Sequence, residues 1–191
     1  MEKDKFRKYI EESTAEVMKV QADIVPQFFL VLPDGNVALA VMPMPEGTNK
    51  DNAVDALRTL IEQQHVELYY SAMTGWMVNV EKMKELAKEK FKQMHEGKLA
   101  PDKFVEFLSG LQNSPAGNST REEVLILGEF DKHEGMQMKL LRINRKDGDE
   151  KSKIFTFEQI HDWSEGMQDM YSRFNVWTPH QVSFEDGEEK C

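Results

Sequence analysis

A chain whose single cysteine is Cys191 can form no internal disulfide, so its fold must rest on packing alone. That scarcity fits a reducing compartment. No run approaches the ~18 uninterrupted apolar residues that a membrane-spanning helix needs. The opening Met1-Glu2-Lys3-Asp4-Lys5 has none of the apolar core of a signal peptide, and cytoplasmic residence is the expectation. Cations are also short, with 24 Lys and Arg against 34 Asp and Glu and a net charge of −10. Phosphate backbones and anionic membrane surfaces are bound through Lys and Arg, so both are disfavoured as partners. The run Glu185-Asp186-Gly187-Glu188-Glu189 could imitate DNA, but a frayed, solvated tail is the plainer reading. Missing too are Gly-x-Gly-x-x-Gly, the Gly-Lys-Ser/Thr phosphate loop and the Gly-x-Ser-x-Gly elbow. None of the 5 histidines stands four residues from another, and a thiol nucleophile at Cys191 would have no scaffold around it.

What is present describes a globular protein, with 40% apolar and 30% charged residues among 191. That length allows one sizeable core. The 12 methionines suit gap-filling in that core or an adaptable binding surface. Phe6, Ile10, Val17, Val20 and Ile24 recur near helical spacing until Pro26. Phe28–Leu32 and Val37–Val41 flank Pro33-Asp34-Gly35-Asn36, whose Pro and Gly supply turn geometry. Both runs are apolar on both faces, which predicts central strands covered by helices. Thr48 and Asp51 resemble a capping box opening a helix on Val54, Leu57, Leu60 and Ile61.

Val66–Val80 then reads as a strand, longer than the usual ~5–6 residues, so a bulge or bend is expected at Gly75. Two helices follow, one carrying Met83, Leu86, Ala87, Phe91 and Met94, the other Phe104, Phe107, Leu108 and Leu111. Residues 81–118 look like a helical insertion or lid packed over one end of the sheet, with Trp76 buried beneath it. Glu123–Asp131 and Met136–Arg145 form a second hairpin, and Lys153–Phe157 a short edge strand. A last helix is expected from Thr156 on Ile160, Trp163, Met167, Met170 and Phe174. The order predicts an α+β fold with a mainly antiparallel, mixed sheet built from two hairpins plus a middle strand, helices packed against it. Residues 1–180 form a single domain, and 181–191 an acidic, disordered tail.

One constellation could carry chemistry. Glu129, Asp131 and His133 alternate, so an extended strand would set two carboxylates and an imidazole on one face, a set able to hold a divalent metal or act as acid and base. The competing reading is a strand leaving the core. Should Trp76 instead line a groove, Thr74 and Arg121 are its nearest polar companions.

The segments "QFFLVLPDGNVALAVMPMP", "LYYSAMTGWMV" and "STREEVLILGEFDKHEG" resemble an uncharacterised bacterial and phage protein family over roughly residues 27–145. Where that family has Glu before the Trp, this chain has Thr74-Gly75. The resemblance implies a compact α+β domain and brings no established activity. The functional expectation is a small cytoplasmic interaction or regulatory accessory protein of bacterial or phage origin, binding a protein partner and needing no cofactor. The alternative is a metal-dependent hydrolase using Glu129, Asp131 and His133.

Overall fold

Hairpins close locally, and here they seed one sheet. The computed structural model describes residues 2–43, 50–113, 121–148, 151–164 and 175–177. Its strands are β1 (Gln27–Val31), β2 (Val37–Val41), β3 (Leu68–Val78), β4 (Arg121–Asp131), β5 (Gly135–Arg145) and β6 (Phe155–Ser164). They lie in the order β2-β1-β3-β4-β5-β6, and every pairing is antiparallel. Among the described residues the helices are α1 (Lys3–Val20), α2 (Lys50–Gln63), α3 (Val80–His95) and α4 (Pro101–Asn113). The fold is α+β, with two hairpins and β3 between them as expected, and no parallel pair among the described strands.

Side chains alternate along a strand, so the sheet has two separate cores. On one face Phe28, Leu30, Tyr69, Val124, Ile126, Phe130 and Met138 pack against Leu57 and Ile61 of α2. On the other, Phe29, Tyr70, Ala72, Leu125, Leu127 and Leu141 pack against Phe6, Ile10 and Met18 of α1. The buried stripe of α1 is Phe6, Ile10, Thr14 and Met18, one four-residue step after another. Val20, expected in that stripe, is exposed.

Gly128 is a tight spot in the first core. A Cβ there would stand 2.7 Å from Phe130 Cε2 and 2.7 Å from Ser71 Oγ. The bare glycine lets the Phe130 ring lie flat on Tyr69, with centroids 4.6 Å apart and planes 8° from parallel.

Four expectations need correction. First, β3 runs unbroken, in continuous register with β4 from Leu68↔Asp131 to Val78↔Arg121. Gly75 makes no bulge; a Cβ there would meet Ile126 Cδ1 at 3.1 Å, so the glycine yields space to a neighbouring side chain. Second, β2 is not central: it is an edge strand with Val37, Leu39 and Val41 39, 56 and 48% exposed. Third, no helix begins at Thr156. Residues 155–164 form β6, with Phe155, Phe157 and Trp163 on the α1 face and Ile160 on the other. Period-two alternation won over the helical spacing; Met167, Met170 and Phe174 lie outside the described residues. Fourth, α3 buries no residue, and among the described residues neither core contains a side chain from α3 or α4, so the described part of the insertion adds nothing to the packing on the sheet. The two helices instead pack on each other, Phe91 against Phe104 at 5.8 Å. Thr48, the 114–120 segment and the 181–191 tail also fall outside the described residues.

Candidate functional site

The C-terminal end of β3 and the start of β4 meet beside α3. Trp76 and Arg121 are diagonal neighbours across this pair, on one face. The Arg121 guanidinium lies 4.0 Å from the Trp76 ring centroid, a cation–π stack, and Trp76 remains 41% exposed. Burial of Trp76 beneath the helical insertion is therefore corrected. An exposed indole held flat by an arginine takes its place. Thr74 is not part of this surface. Its Oγ1 accepts from Ile24 N–H at 3.1 Å, and its own N–H donates to Ile24 O at 3.2 Å, pinning the segment after α1.

The flanking acids are both paired. Glu122 accepts from Lys82 Nζ, Asn79 Nδ2 and Arg142 Nε, each at 2.8 Å. Asn79 serves twice, since its Oδ1 also accepts from Lys82 N–H and caps α3. Burial alone would raise the Glu122 pKa, but these three donors outweigh it and hold the carboxyl below its ordinary range. On the opposite face Glu123 pairs with Arg145, whose guanidinium also donates to the carbonyls of Ala22 and Ser152 at 2.6 Å each. A cleft of about 610 Å³ opens among Trp76, Arg121, Lys82, Arg142, Asn144 and Glu158.

The other candidates lie at the far end of the sheet. Glu129 and Asp131 do share the α1 face of β4, but His133 sits in the turn beyond it, its side chain 70% exposed and 3.7 Å from Glu67. Arg7 grips both oxygens of Glu129, at 2.7 and 2.9 Å, and Lys3 donates to Asp131 at 2.8 Å. Asp131 also accepts the N–H groups of His133 and Glu134, closing the turn. Desolvation pushes the Asp131 pKa up, yet Lys3 and these two amides prevail and lower it. The Tyr70 hydroxyl is buried without a hydrogen bond of ordinary geometry. Burial first, and the Glu129 charge second, push its pKa up.

The expected trio thus does not converge, and both of its carboxylates are engaged by cations from α1. Among the described residues no group of three or more His, Cys, Asp and Glu is placed to hold a metal ion. His161 Nε2 lies 2.6 Å from Ser164 Oγ on edge strand β6, but neither lines the cleft at Trp76. A second cleft, of about 400 Å³, lies between Ile61, His65, Lys132 and Trp177.

Sequence reasoning found Trp76 and Arg121 but missed Arg7, Arg142 and Arg145. One signal was there: Glu129 interrupts the apolar run Val124–Phe130, and a buried charge requires a partner. Nothing in the spacing tells which of the chain's cations supplies it. No helix among the described residues is long and apolar enough to cross a membrane. Set against known proteins, the chain matches no protein family, no curated protein and no solved structure.

Proposed function

We propose that this is a small cytoplasmic interaction protein without catalytic activity, binding a protein partner through Trp76, Arg121 and the adjoining helical hairpin. The exposed Trp76–Arg121 stack carries this reading. Tryptophan and arginine are the residues most enriched where binding energy concentrates, and here the pair stands preformed at a cleft. The two helices that follow β3 also carry exposed apolar side chains, Val80 and Phe91 on α3 and Val105 and Leu108 on α4. Exposed apolar side chains on two helices that pack on each other suit a docking surface. Catalysis finds less support. Glu122, Glu123, Glu129 and Asp131 each already hold a Lys or Arg, which leaves no carboxylate at these positions poised for proton transfer.

The test is affinity capture from the native host with wild-type, Trp76→Ala and Arg121→Glu proteins. One partner should be retained by the wild type and lost by both variants. Because Trp76 is half open to solvent, Trp76→Ala should cost about 1 kcal/mol, not the ~3–5 of a buried Trp. Capture of nothing, or capture indifferent to both substitutions, defeats the proposal. A fall in stability of the buried-Trp size would assign Trp76 a structural role instead.

A further inference from the structure

β2 ends the sheet, and among the described residues no segment pairs with its outer side. Free edges invite pairing with another chain, so they ordinarily carry charges, prolines or bulges. The opposite edge has two such devices: β6 carries Glu158, His161 and Asp162, and its pairing with β5 is bulged between Met138 and Leu141. β2 has neither. Its five residues are Val-Ala-Leu-Ala-Val, in a molecule whose net charge is −10.

The hydrogen-bond phase of the hairpin decides which groups face out. Leu32 N–H donates to Asn36 O and Met42 N–H to Pro26 O, each at 2.8 Å. Bonded pairs in an antiparallel ladder recur every second residue, so Ala38 and Ala40 spend their backbone groups on β1. The N–H and C=O groups of Val37, Leu39 and Val41 therefore point away from the sheet. The same three residues expose their side chains on the α1 face.

We infer that β2 is the interface of a two-fold dimer, taken up by the β2 strand of a second copy. Antiparallel pairing about a dyad through Leu39 sets Leu39 opposite Leu39 and Val37 opposite the partner's Val41. All six outward backbone groups of each strand then meet a counterpart. A dyad through Leu39 sets each residue i opposite j and j opposite i, so a single surface satisfies itself, and Val-Ala-Leu-Ala-Val brings only small or apolar side chains face to face. The two sheets fuse into one of twelve strands, with a floor of six apolar side chains between the two copies of α1. Strand pairing of this length, with its flanks, buries roughly 1,000 Å² in total, the lower limit for a specific assembly, so a micromolar dissociation constant is expected.

Sedimentation from about 1 µM to 1 mM tests this, the span that a micromolar dimer calls for. A concentration-dependent dimer is expected, tighter as NaCl is raised, because salt screens the repulsion between two acidic molecules. Leu39→Lys, which sets two like charges opposite each other, should abolish association, and Thr156→Lys on the other edge should leave it intact. A thermal melt of each variant confirms that it is folded. Register is read by cysteine cross-linking in a Cys191→Ser background. In the bonded pair on the dyad the two Leu39 Cα atoms stand ~5.5 Å apart, within disulfide range, so Leu39→Cys should form a disulfide dimer when an added oxidant takes up two electrons. Val37→Cys, opposite Val41, should not. A monomer throughout, a dimer insensitive to Leu39→Lys, cross-linking of the Val37→Cys variant alone, or open-ended polymers each overturn the inference.

Discussion

Replacing Gly128 with alanine should destabilise the protein through one identifiable collision. The new Cβ would stand 2.7 Å from Phe130 Cε2, 3.1 Å from Phe130 Cζ and 2.7 Å from Ser71 Oγ. Hydroxyl rotation relieves the serine contact, but the ring has no free direction, since it stacks on Tyr69 and both rings are fully buried. Overpacking a core costs about 1–3 kcal/mol, and losing an aromatic pair about 0.5–1.5. Alanine recovers about 0.4–1 kcal/mol by restricting the unfolded chain. The net cost should be about 2–3 kcal/mol, which for a chain of this size lowers Tm by roughly 4–12 °C. Urea denaturation followed by tryptophan fluorescence measures it. A double-mutant cycle with Phe130→Leu isolates the cause: with the ring gone, Gly128→Ala should cost little or become stabilising, a coupling above about 1 kcal/mol. Equal costs in both backgrounds, or a Gly128→Ala variant within about 0.5 kcal/mol of wild type, would refute the reasoning.

Arg7→Met removes the bidentate partner of Glu129, which is 2% exposed, and leaves it only Lys3 at 3.7 Å; the cost in denaturant titration should reach at most about 3–5 kcal/mol, with Arg7→Met/Glu129→Met recovering much of that loss. Acid should unfold the protein through Asp131 and Glu122. Their folded pKa values are depressed, so their contribution is fully present above the ordinary carboxylate range and is lost as pH falls below ~4. Denaturation midpoints should hold between pH 7 and 5 and drop by pH 3, and Lys3→Met should flatten that acid limb. Amide exchange of α3 and α4 should be faster than that of β3 and β4, since α3 buries no residue; equal protection would contradict this.

The hairpins were legible in the sequence because their turns have chemical requirements: Gly35 and Gly135 adopt φ of 85° and 90°, a region that L side chains rarely enter. Helices α1 to α4 were legible from apolar spacing, with the Thr48 and Asp51 pattern adding to it at α2. β6 was legible only at its start, where Lys153–Phe157 reads as an edge strand; its continuation to Ser164 was not, because Ile160 and Trp163 fit a helical stripe as well as they fit opposite faces of a strand. β2 misled for a different reason. Composition reports that a strand is apolar; it does not report whether a neighbour covers it, which is a property of sheet order. Trp76 and Arg121 were named together only as companions of a conditional groove; their stack itself was not legible, since a ladder register joins residues 45 positions apart that no local pattern connects. The cations that engage Glu129 and Asp131 were not legible for the same reason, as Arg7 and Lys3 lie 122 and 128 residues upstream.

That separation has a bearing on biosynthesis. α1 leaves the ribosome before the strands it packs on, and Glu129, Gln137 and Lys139, which its Arg7 and Glu11 engage, are translated more than 120 residues later. At about 5–20 residues per second, the nascent helix waits roughly 6–25 s for Leu125 and Leu127, which complete the core around Phe6, Ile10 and Met18. The hairpin of β1 and β2 waits with it, its edge unprotected. A chain built this way is most vulnerable to aggregation before β4 is made, so its yield in a cell should respond to chaperone supply and translation speed more than to the stability of the finished fold.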